Sequence, residues 1–201
     1  MKKLGIAVGL LLVCFLMGGC VQSLNPFFTD DARVAMPELN GKWTLLDDAG
    51  HPKRQKDWVF EDGRIMTYSE KGGSGILDAT WFKVGDQLYV DTTAHSLEPD
   101  IVSDWWVYHV MPVHILCKVD RDDRKLTFKP LDYEWVNQAL TNGLISLPVV
   151  KGKENDMVLF NAGPEQWMEF LKRQGTNEDA FVGGDEYTFV RSQERVRIQG
   201  Q

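Results

Sequence analysis

Hydrophobic residues fall into two patterns along the chain: one continuous apolar run near the N-terminus, and many short segments after it in which apolar and polar positions alternate. A period of two residues is typical of half-buried β-strands. Turn residues separate the short segments, most clearly Asp62-Gly63, a dipeptide that accepts the positive φ of a tight hairpin. The pattern therefore predicts a leader followed by a series of antiparallel strands.

Segments 57–61 and 64–68 flank Asp62-Gly63 and form the clearest predicted hairpin. Segment 105–119 is a long apolar stretch interrupted at Pro112, which cannot donate to a ladder, so we expect an edge, a bulge or a bend there. The other predicted strands are 43–46, 76–84, 88–90, 125–129 and 186–191.

Two segments change from the strand period to the helical period. In the first, Asp132 is the predicted N-cap and Gly143 the C-terminal stop. In the second, Pro164 takes the first helical position, and Trp167 and Phe170 lie on one apolar face. The sequence thus predicts a mainly β fold: a curved antiparallel sheet or small barrel of about eight strands, with two helices packed against it.

The apolar run at the N-terminus has the anatomy of an export signal. Lys2 and Lys3 form a positive start, residues 4–16 an apolar stretch, and residues 17–19 end in small side chains immediately before Cys20. Crossing ~30 Å of hydrocarbon needs about 20 apolar residues, so the run is shorter than a typical transmembrane helix. We expect cleavage before Cys20 and lipid, such as palmitate, on that cysteine. An ordinary secreted leader and an uncleaved anchor are the alternatives.

These boundaries divide the chain into a signal peptide at residues 1–19, a lipidated tether at residues 20–37 and a single β-rich globular domain at residues 38–201. A domain of this length can bury a core without staples. Of the three cysteines, one leaves with the leader and Cys20 carries lipid, so Cys117 is alone in the domain and no disulfide is expected. Cys117 lies in an apolar run and is predicted to be a buried small hydrophobe.

The chain is acidic, with a formal net charge of -7. Without Lys2 and Lys3, the mature part has 20 basic against 29 acidic side chains. Binding to nucleic acid or to anionic lipid needs clustered Lys and Arg, so neither is expected, and the predicted membrane contact is through lipid on Cys20. Val21 follows this cysteine, where an Asp is associated with retention in the inner membrane of Gram-negative bacteria. In such a host we therefore expect the outer membrane.

The titratable residues form no recognisable catalytic constellation. His109 and His114 are five residues apart, which places them on opposite faces of an uninterrupted strand, and none of the usual zinc-ligand spacings occurs. Asp91 and three further acids gather around His95 in a predicted polar loop, 92–104, whose spacing does not match a calcium-binding loop. The sequence therefore predicts no catalytic residue, no metal and no cofactor.

Seven tryptophans are many for a chain of this length. They can fill the core, as large aromatic side chains do, or they can line a ligand cavity, and the sequence leaves both readings open. Trp105 and Trp106 are adjacent, so on a strand one of them faces away from the other. We expect one of the pair to be exposed near a rim, which makes Trp105 and Trp106 the candidate ligand-binding residues.

Five motifs stand out: residues 20–29 (CVQSLNPFFT), 41–43 (GKW), 109–114 (HVMPVH), 130–135 (PLDYEW) and the helix at 165–171. Together they resemble a family of uncharacterised bacterial lipoproteins over most of the mature chain, and this resemblance implies no particular activity. Gly41-x-Trp43 at the start of a barrel-like pattern also resembles the lipocalins. That resemblance implies an up-and-down barrel with a cavity for an apolar molecule, although the two helices in the second half depart from it and make the strand order uncertain.

We therefore expect a non-enzymatic, lipid-anchored protein of the bacterial cell envelope that binds a small apolar ligand or an envelope protein. One alternative is a hydrolase acting on envelope material, with His109, His114 or the acidic loop as its chemistry. Another is an inhibitor or assembly factor that uses loop 92–104. An enzyme needs polar groups that converge in a cleft, whereas a binding protein needs an apolar cavity or an exposed apolar patch.

Overall fold

The computed structural model describes residues 20–68, 74–96, 112–122, 124–151, 158–181 and 186–192. The predicted signal peptide at residues 1–19 lies outside these ranges. The strands are β1 (Gln22–Ser23), β2 (Gly41–Leu46), β3 (Pro52–Glu61), β4 (Arg64–Tyr68), β5 (Ser74–Val84), β6 (Gln87–Ser96), β7 (His114–Arg121), β8 (Lys125–Pro130), β9 (Val149–Lys151), β10 (Val158–Phe160) and β11 (Tyr187–Arg191). The helices are α1 (Tyr133–Thr141) and α2 (Pro164–Gln174), with short 3-10 helices at Asp30–Ala32, Pro37–Leu39 and Glu178–Phe181.

Eight strands close into an antiparallel barrel. Their order is β2, β3, β4, β5, β6, β7, β8 and β11, and β11 pairs with β2 to complete the circle. Each of these eight strands lies beside the one that precedes it in the barrel, including β11, which pairs with β8 although a long insertion containing both helices separates them in the chain. The barrel is therefore up-and-down, and the insertion leaves the strand order unchanged. The predicted small barrel with two packed helices is confirmed.

The hairpin between β3 and β4 turns at the predicted dipeptide. Asp62 has φ 47° and Gly63 has φ 79°, and two consecutive positive φ values match the right-handed twist of the flanking strands. Glu61 pairs with Arg64 across the turn. β3 begins at Pro52 and is thus longer than the predicted segment 57–61.

Side chains alternate between the barrel interior and its outer surface. Trp81 and Val90 belong to the interior cluster, whereas their neighbours Phe82 and Tyr89 belong to a second cluster outside the barrel. The buried interior cluster comprises Leu39, Trp43, Leu45, Phe60, Ile65, Ala79, Trp81, Leu88, Val90, Cys117, Val119, Leu126, Phe128 and Phe189. The predicted burial of Cys117 is confirmed.

The outer cluster joins both helices to the wall formed by β5, β6 and β7. The carboxylate of Asp132 accepts a hydrogen bond from the Trp135 amide at 2.5 Å, and α2 begins at Pro164, so both predicted helix starts are confirmed. The buried members are Val21, Phe27, Phe28, Phe82, Tyr89, Leu116, Leu131, Val136, Val158, Phe160, Ala162, Trp167, Phe170, Leu171, Ala180 and Phe181. The interior cluster and the outer cluster therefore lie on opposite sides of the same barrel wall.

One end of the barrel is closed by Trp43 and Arg191, and we call it the closed end. The Arg191 guanidinium lies 4.7 Å from the Trp43 ring centroid and donates hydrogen bonds to the carbonyls of Asn40 (3.1 Å) and Glu38. Gly41 has φ +128°, and a Cβ there would lie 3.1 Å from Arg191 Nη1. The Gly-x-Trp motif is thus explained by packing: the glycine leaves room for a cation over the ring.

Three short strands extend the sheet beyond the barrel. β8 ends at Pro130, opposite Cys117, whereas β7 continues to His114, and β1 pairs with this uncovered edge of β7. β10 pairs with β1 in parallel and β9 with β10. We call β1, β10 and β9 the extension.

Residues 20–37, predicted as a tether, pack against the barrel along much of their length. Val21, Phe27 and Phe28 are buried, and the Val34 amide donates to the carbonyl of Trp81 at 2.9 Å. Two adjacent phenylalanines bury large apolar surface, which holds the segment on the outer wall.

Candidate functional site around the first strand

Chain segments that are distant in sequence meet around β1. Ser23 pairs with His114 of β7 on one side and with Phe160 of β10 on the other. Cys20 forms a β-bridge with Asp132, the N-cap of α1. The predicted lipid attachment point is therefore held directly against the fold.

Ser23 is fully buried, and its hydroxyl links the segment after Cys20 to α2. Its Oγ accepts hydrogen bonds from Trp167 Nε1 (3.1 Å) and the Asn25 amide (3.2 Å), and donates to the Asn25 carbonyl (2.8 Å). Asn25 Nδ2 in turn donates to the carbonyl of Ala162 at 3.2 Å. Four of the five motifs behind the lipoprotein resemblance therefore contribute residues to this one region.

A buried carboxylate fixes the segment after Cys20 to the barrel. Asp91 Oδ2 accepts a hydrogen bond from the Phe27 amide at 2.9 Å, and Asp91 Oδ1 lies 2.9 Å from His114 Nδ1. The Asp91 side chain is 2% exposed and the His114 side chain 20% exposed. A buried acceptor with two partners rigidifies the groups that it joins.

A second carboxylate–imidazole pair lies on the outer face of the neighbouring strands. Asp78 lies 2.9 Å from His95 Nδ1, with Arg64 Nε 3.7 Å from the same carboxylate. The Asp78 side chain is 47% exposed. The two pairs have the same chemistry and differ in their access to water.

The sulfur atoms of Cys20 and Cys117 have different surroundings. Cys20 is half-buried at the start of β1. Burial raises the pKa of the Cys117 thiol well above its usual range, and the Cys20 thiol and the Asp91 carboxylate act in the same direction. Cys117 is thus held as a neutral thiol inside the barrel.

The predicted ligand-binding residues Trp105 and Trp106 lie outside the described residues, as does His109. The described strand ends on either side of this part of the chain are Ser96 and His114. Both lie at the end of the barrel opposite the closed end, which we call the far end. The spatial relation of His109 to His114 therefore stays a prediction.

The predicted polar loop 92–104 is wrong in its first five residues, because β6 continues to Ser96. Thr92 and Ala94 continue the inward alternation of the apolar residues before them, which places Asp91 within a strand. This period of two was the signal available in the sequence. The other acids assigned to this loop, Glu98, Asp100 and Asp104, lie outside the described residues.

Aromatic rings fill the described interior of the barrel. Phe128 has its ring centroid 5.5 Å from that of Phe189, 6.0 Å from Trp81 and 6.1 Å from Phe60. Trp58 packs on Phe189 at 4.8 Å. These separations are those of directly packed aromatic pairs, so the rings occupy this part of the interior themselves.

No protein-family model, no curated protein and no solved structure matches this chain. Within the described ranges, no three His, Cys, Asp or Glu side chains stand close enough together to hold a metal ion. None of the helices in these ranges is long and apolar enough to cross a membrane.

Proposed function

We propose that this chain is a non-enzymatic lipoprotein of the bacterial cell envelope. Lipid on Cys20 anchors it in a membrane, which is the outer membrane in a Gram-negative host. Its barrel domain binds an envelope protein at the surface. It belongs, in this proposal, with the lipoproteins that its motifs resemble.

The packing of the barrel interior carries the choice of a protein partner over a small apolar ligand. A ligand site is a cavity of several hundred Å³, whereas in this interior the Phe128 ring already packs against the rings of both Trp81 and Phe189. A filled barrel is a rigid scaffold, and binding residues are commonly found on the loops that such a scaffold holds in place. The partner therefore binds outside the barrel.

We place the contact with the protein partner at the far end of the barrel. The chain between Ser96 and His114 contains Trp105 and Trp106, and tryptophan is enriched among the residues that dominate protein interfaces. We propose that this pair contacts the partner.

The anchor is tested by acyl labelling of the full-length protein in its own host. Cys20→Ser should abolish incorporation of a palmitate analogue and release the protein from membranes. Cys117→Ser is the matched control, because its thiol is buried in the barrel and should leave labelling unchanged. Full labelling of the Cys20→Ser protein would refute the anchor.

The partner is tested by photo-crosslinking in the intact envelope. A crosslinking amino acid at position 106 should give a discrete adduct with one protein, and the same group at Asp86, exposed in the β5–β6 turn at the closed end, should not. Native mass spectrometry of the full mature chain from the same host checks the other possibility. A reproducible small apolar molecule, with no adduct at position 106, would refute the partner-binding proposal.

A further inference from the structure

The residues that directly follow Cys20 belong to the fold, so no flexible linker separates the predicted lipid from the domain. Cys20 itself forms a β-bridge with Asp132, and Val21 and Ser23 are buried immediately after it. A flexible tether would let the domain turn freely beneath its anchor. A cysteine held by the sheet instead fixes which surface of the domain lies next to the membrane.

Side chains alternate along β1, which identifies that surface. Val21 and Ser23 point into the core, so Cys20 and Gln22 lie on the opposite face of the extension. Gln22 pairs with Leu159 of β10, and Leu159 pairs with Val150 of β9. Residues directly opposite in a sheet share a face. Cys20, Gln22, Leu159 and Val150 therefore share one face, and because Gln22 also pairs with Ile115 of β7, this face continues the inner face of the barrel wall at the far end.

This face carries an apolar side chain that water contacts. Val150 is 50% exposed and, with Leu144 at 63%, is one of two exposed large hydrophobic side chains in the described ranges. Both belong to the stretch between α1 and the end of β9. Two strand spacings of ~4.8 Å place Val150 about 10 Å from Gln22, well within the footprint of an anchored domain.

We propose that the face of the extension bearing Cys20, Gln22, Leu159 and Val150 rests on the lipid bilayer, with Val150 entering the headgroup region beside the acyl chains. This inference rests on the proposed lipidation of Cys20. Two features of this face favour the bilayer as its occupant. Cys20, the proposed site of lipid attachment, lies on it, and the exposed Val150 side chain is close enough to that anchor to make a shallow apolar contact with the bilayer. The bilayer contact orients the barrel and fixes the direction in which its far end points.

The inference is tested with a depth-sensitive fluorophore on the full-length lipidated protein. Val150→Cys provides the attachment site, because lipid occupies Cys20 and Cys117 is buried. Asp86→Cys is the matched control, since Asp86 is exposed and lies six residues along β6 from Thr92, about 20 Å from the extension row at ~3.3 Å per residue. Both proteins are reconstituted in phosphatidylethanolamine–phosphatidylglycerol vesicles containing a lipid with a nitroxide near its headgroup.

An apolar contact that enters the interface by ~5–10 Å should make quenching at position 150 at least about twofold stronger than at position 86. Equal, weak quenching at both positions in protein that floats with the vesicles would overturn the bilayer contact and leave the anchor intact. Protein that carries no acyl label and does not float would overturn the anchor and this inference together. Flotation and labelling are measured on the same sample, so the two failures are distinguishable.

Discussion

Asp91 tests whether a buried carboxylate holds the segment after Cys20 on the barrel. Asp91→Ala removes the acceptor of the Phe27 amide and the partner of His114, both at 2.9 Å. Asp78→Ala removes a carboxylate from His95 at the same distance. Because the two pairs differ in burial, with side-chain exposures of 2% for Asp91 and 47% for Asp78, each variant controls for the other.

The expected magnitudes differ because water replaces only one of the lost partners. A buried donor left without an acceptor costs about 1–3 kcal/mol, and a hydrogen bond to a charged group contributes about 1.5–3 kcal/mol. Asp91→Ala should therefore lower the free energy of unfolding by about 3 kcal/mol. Exposed ion pairs contribute about 0–1 kcal/mol, so Asp78→Ala should cost less than about 1 kcal/mol.

The assay is urea unfolding of the unlipidated Cys20→Ser protein, followed by tryptophan fluorescence and repeated by thermal melting. At about 2–4 °C per kcal/mol for a domain of this size, Asp91→Ala should lower Tm by about 6–12 °C. Asp91→Asn, which keeps one acceptor oxygen, should lie between the alanine variant and the parent. Equal losses for Asp91→Ala and Asp78→Ala would refute the reasoning, because burial would then make no difference.

Three further predictions concern packing, charge and reactivity. A Cβ on Gly175 would overlap Tyr89 Oη, so Gly175→Ala should cost about 1–3 kcal/mol in urea unfolding. The hydrogen bond from buried Lys118 lowers the pKa of Glu178, so its stabilisation is present above the unfolded pKa and lost as pH falls through the folded pKa. Near pH 7 the Glu178→Gln protein should therefore melt at a lower temperature than the parent, and the difference between the two should shrink as the pH falls below the usual range of a glutamate. Because burial raises its pKa, the Cys117 thiol should stay unreactive at about pH 8 until the protein unfolds, as measured with a thiol-specific chromogenic reagent.

Matched variants separate each effect from a general loss of stability. Gly50 has a positive φ but open space around it, so Gly50→Ala should cost only about 1 kcal/mol of backbone strain. Glu61 is exposed at the end of β3, and Glu61→Gln is the matched control in which an exposed carboxylate away from Lys118 is replaced. A Gly175 variant as stable as Gly50→Ala, a Glu178 effect that persists at acidic pH, or rapid labelling of folded Cys117 would contradict the respective prediction.

The candidate site was only partly predictable from the sequence. Lipid attachment at Cys20 was predicted from the leader and stays a prediction, whereas Ser23 and Asp91 were not recognised as residues of this region. Asp91 was grouped with an acidic loop because the acidic residues that follow it suggested solvent exposure, although its place in the alternation of β6 gave a strand signal. Its partner Phe27 is 64 residues away, and no local pattern reports a contact over that distance.

Local features of this protein were determined by the sequence itself. The hairpin at Asp62-Gly63, the N-cap at Asp132 and the start of α2 at Pro164 each depend on backbone preferences of a few consecutive residues, so their types and positions could be read directly. The mainly β class followed from the period of two. These signals depend on residues within a few positions of one another.

Only the tertiary structure decided how these elements combine. Pairing of β6 with β7 and of β11 with β2 closes the sheet, and the rings of Trp81 and Phe128 fill the interior that the lipocalin resemblance implied to be a cavity. The segment after Cys20 became a strand because β8 turns away and leaves one edge of β7 unpaired. Such outcomes depend on which distant surfaces meet and on the space that remains between them, and the linear pattern of apolar and polar positions specifies neither.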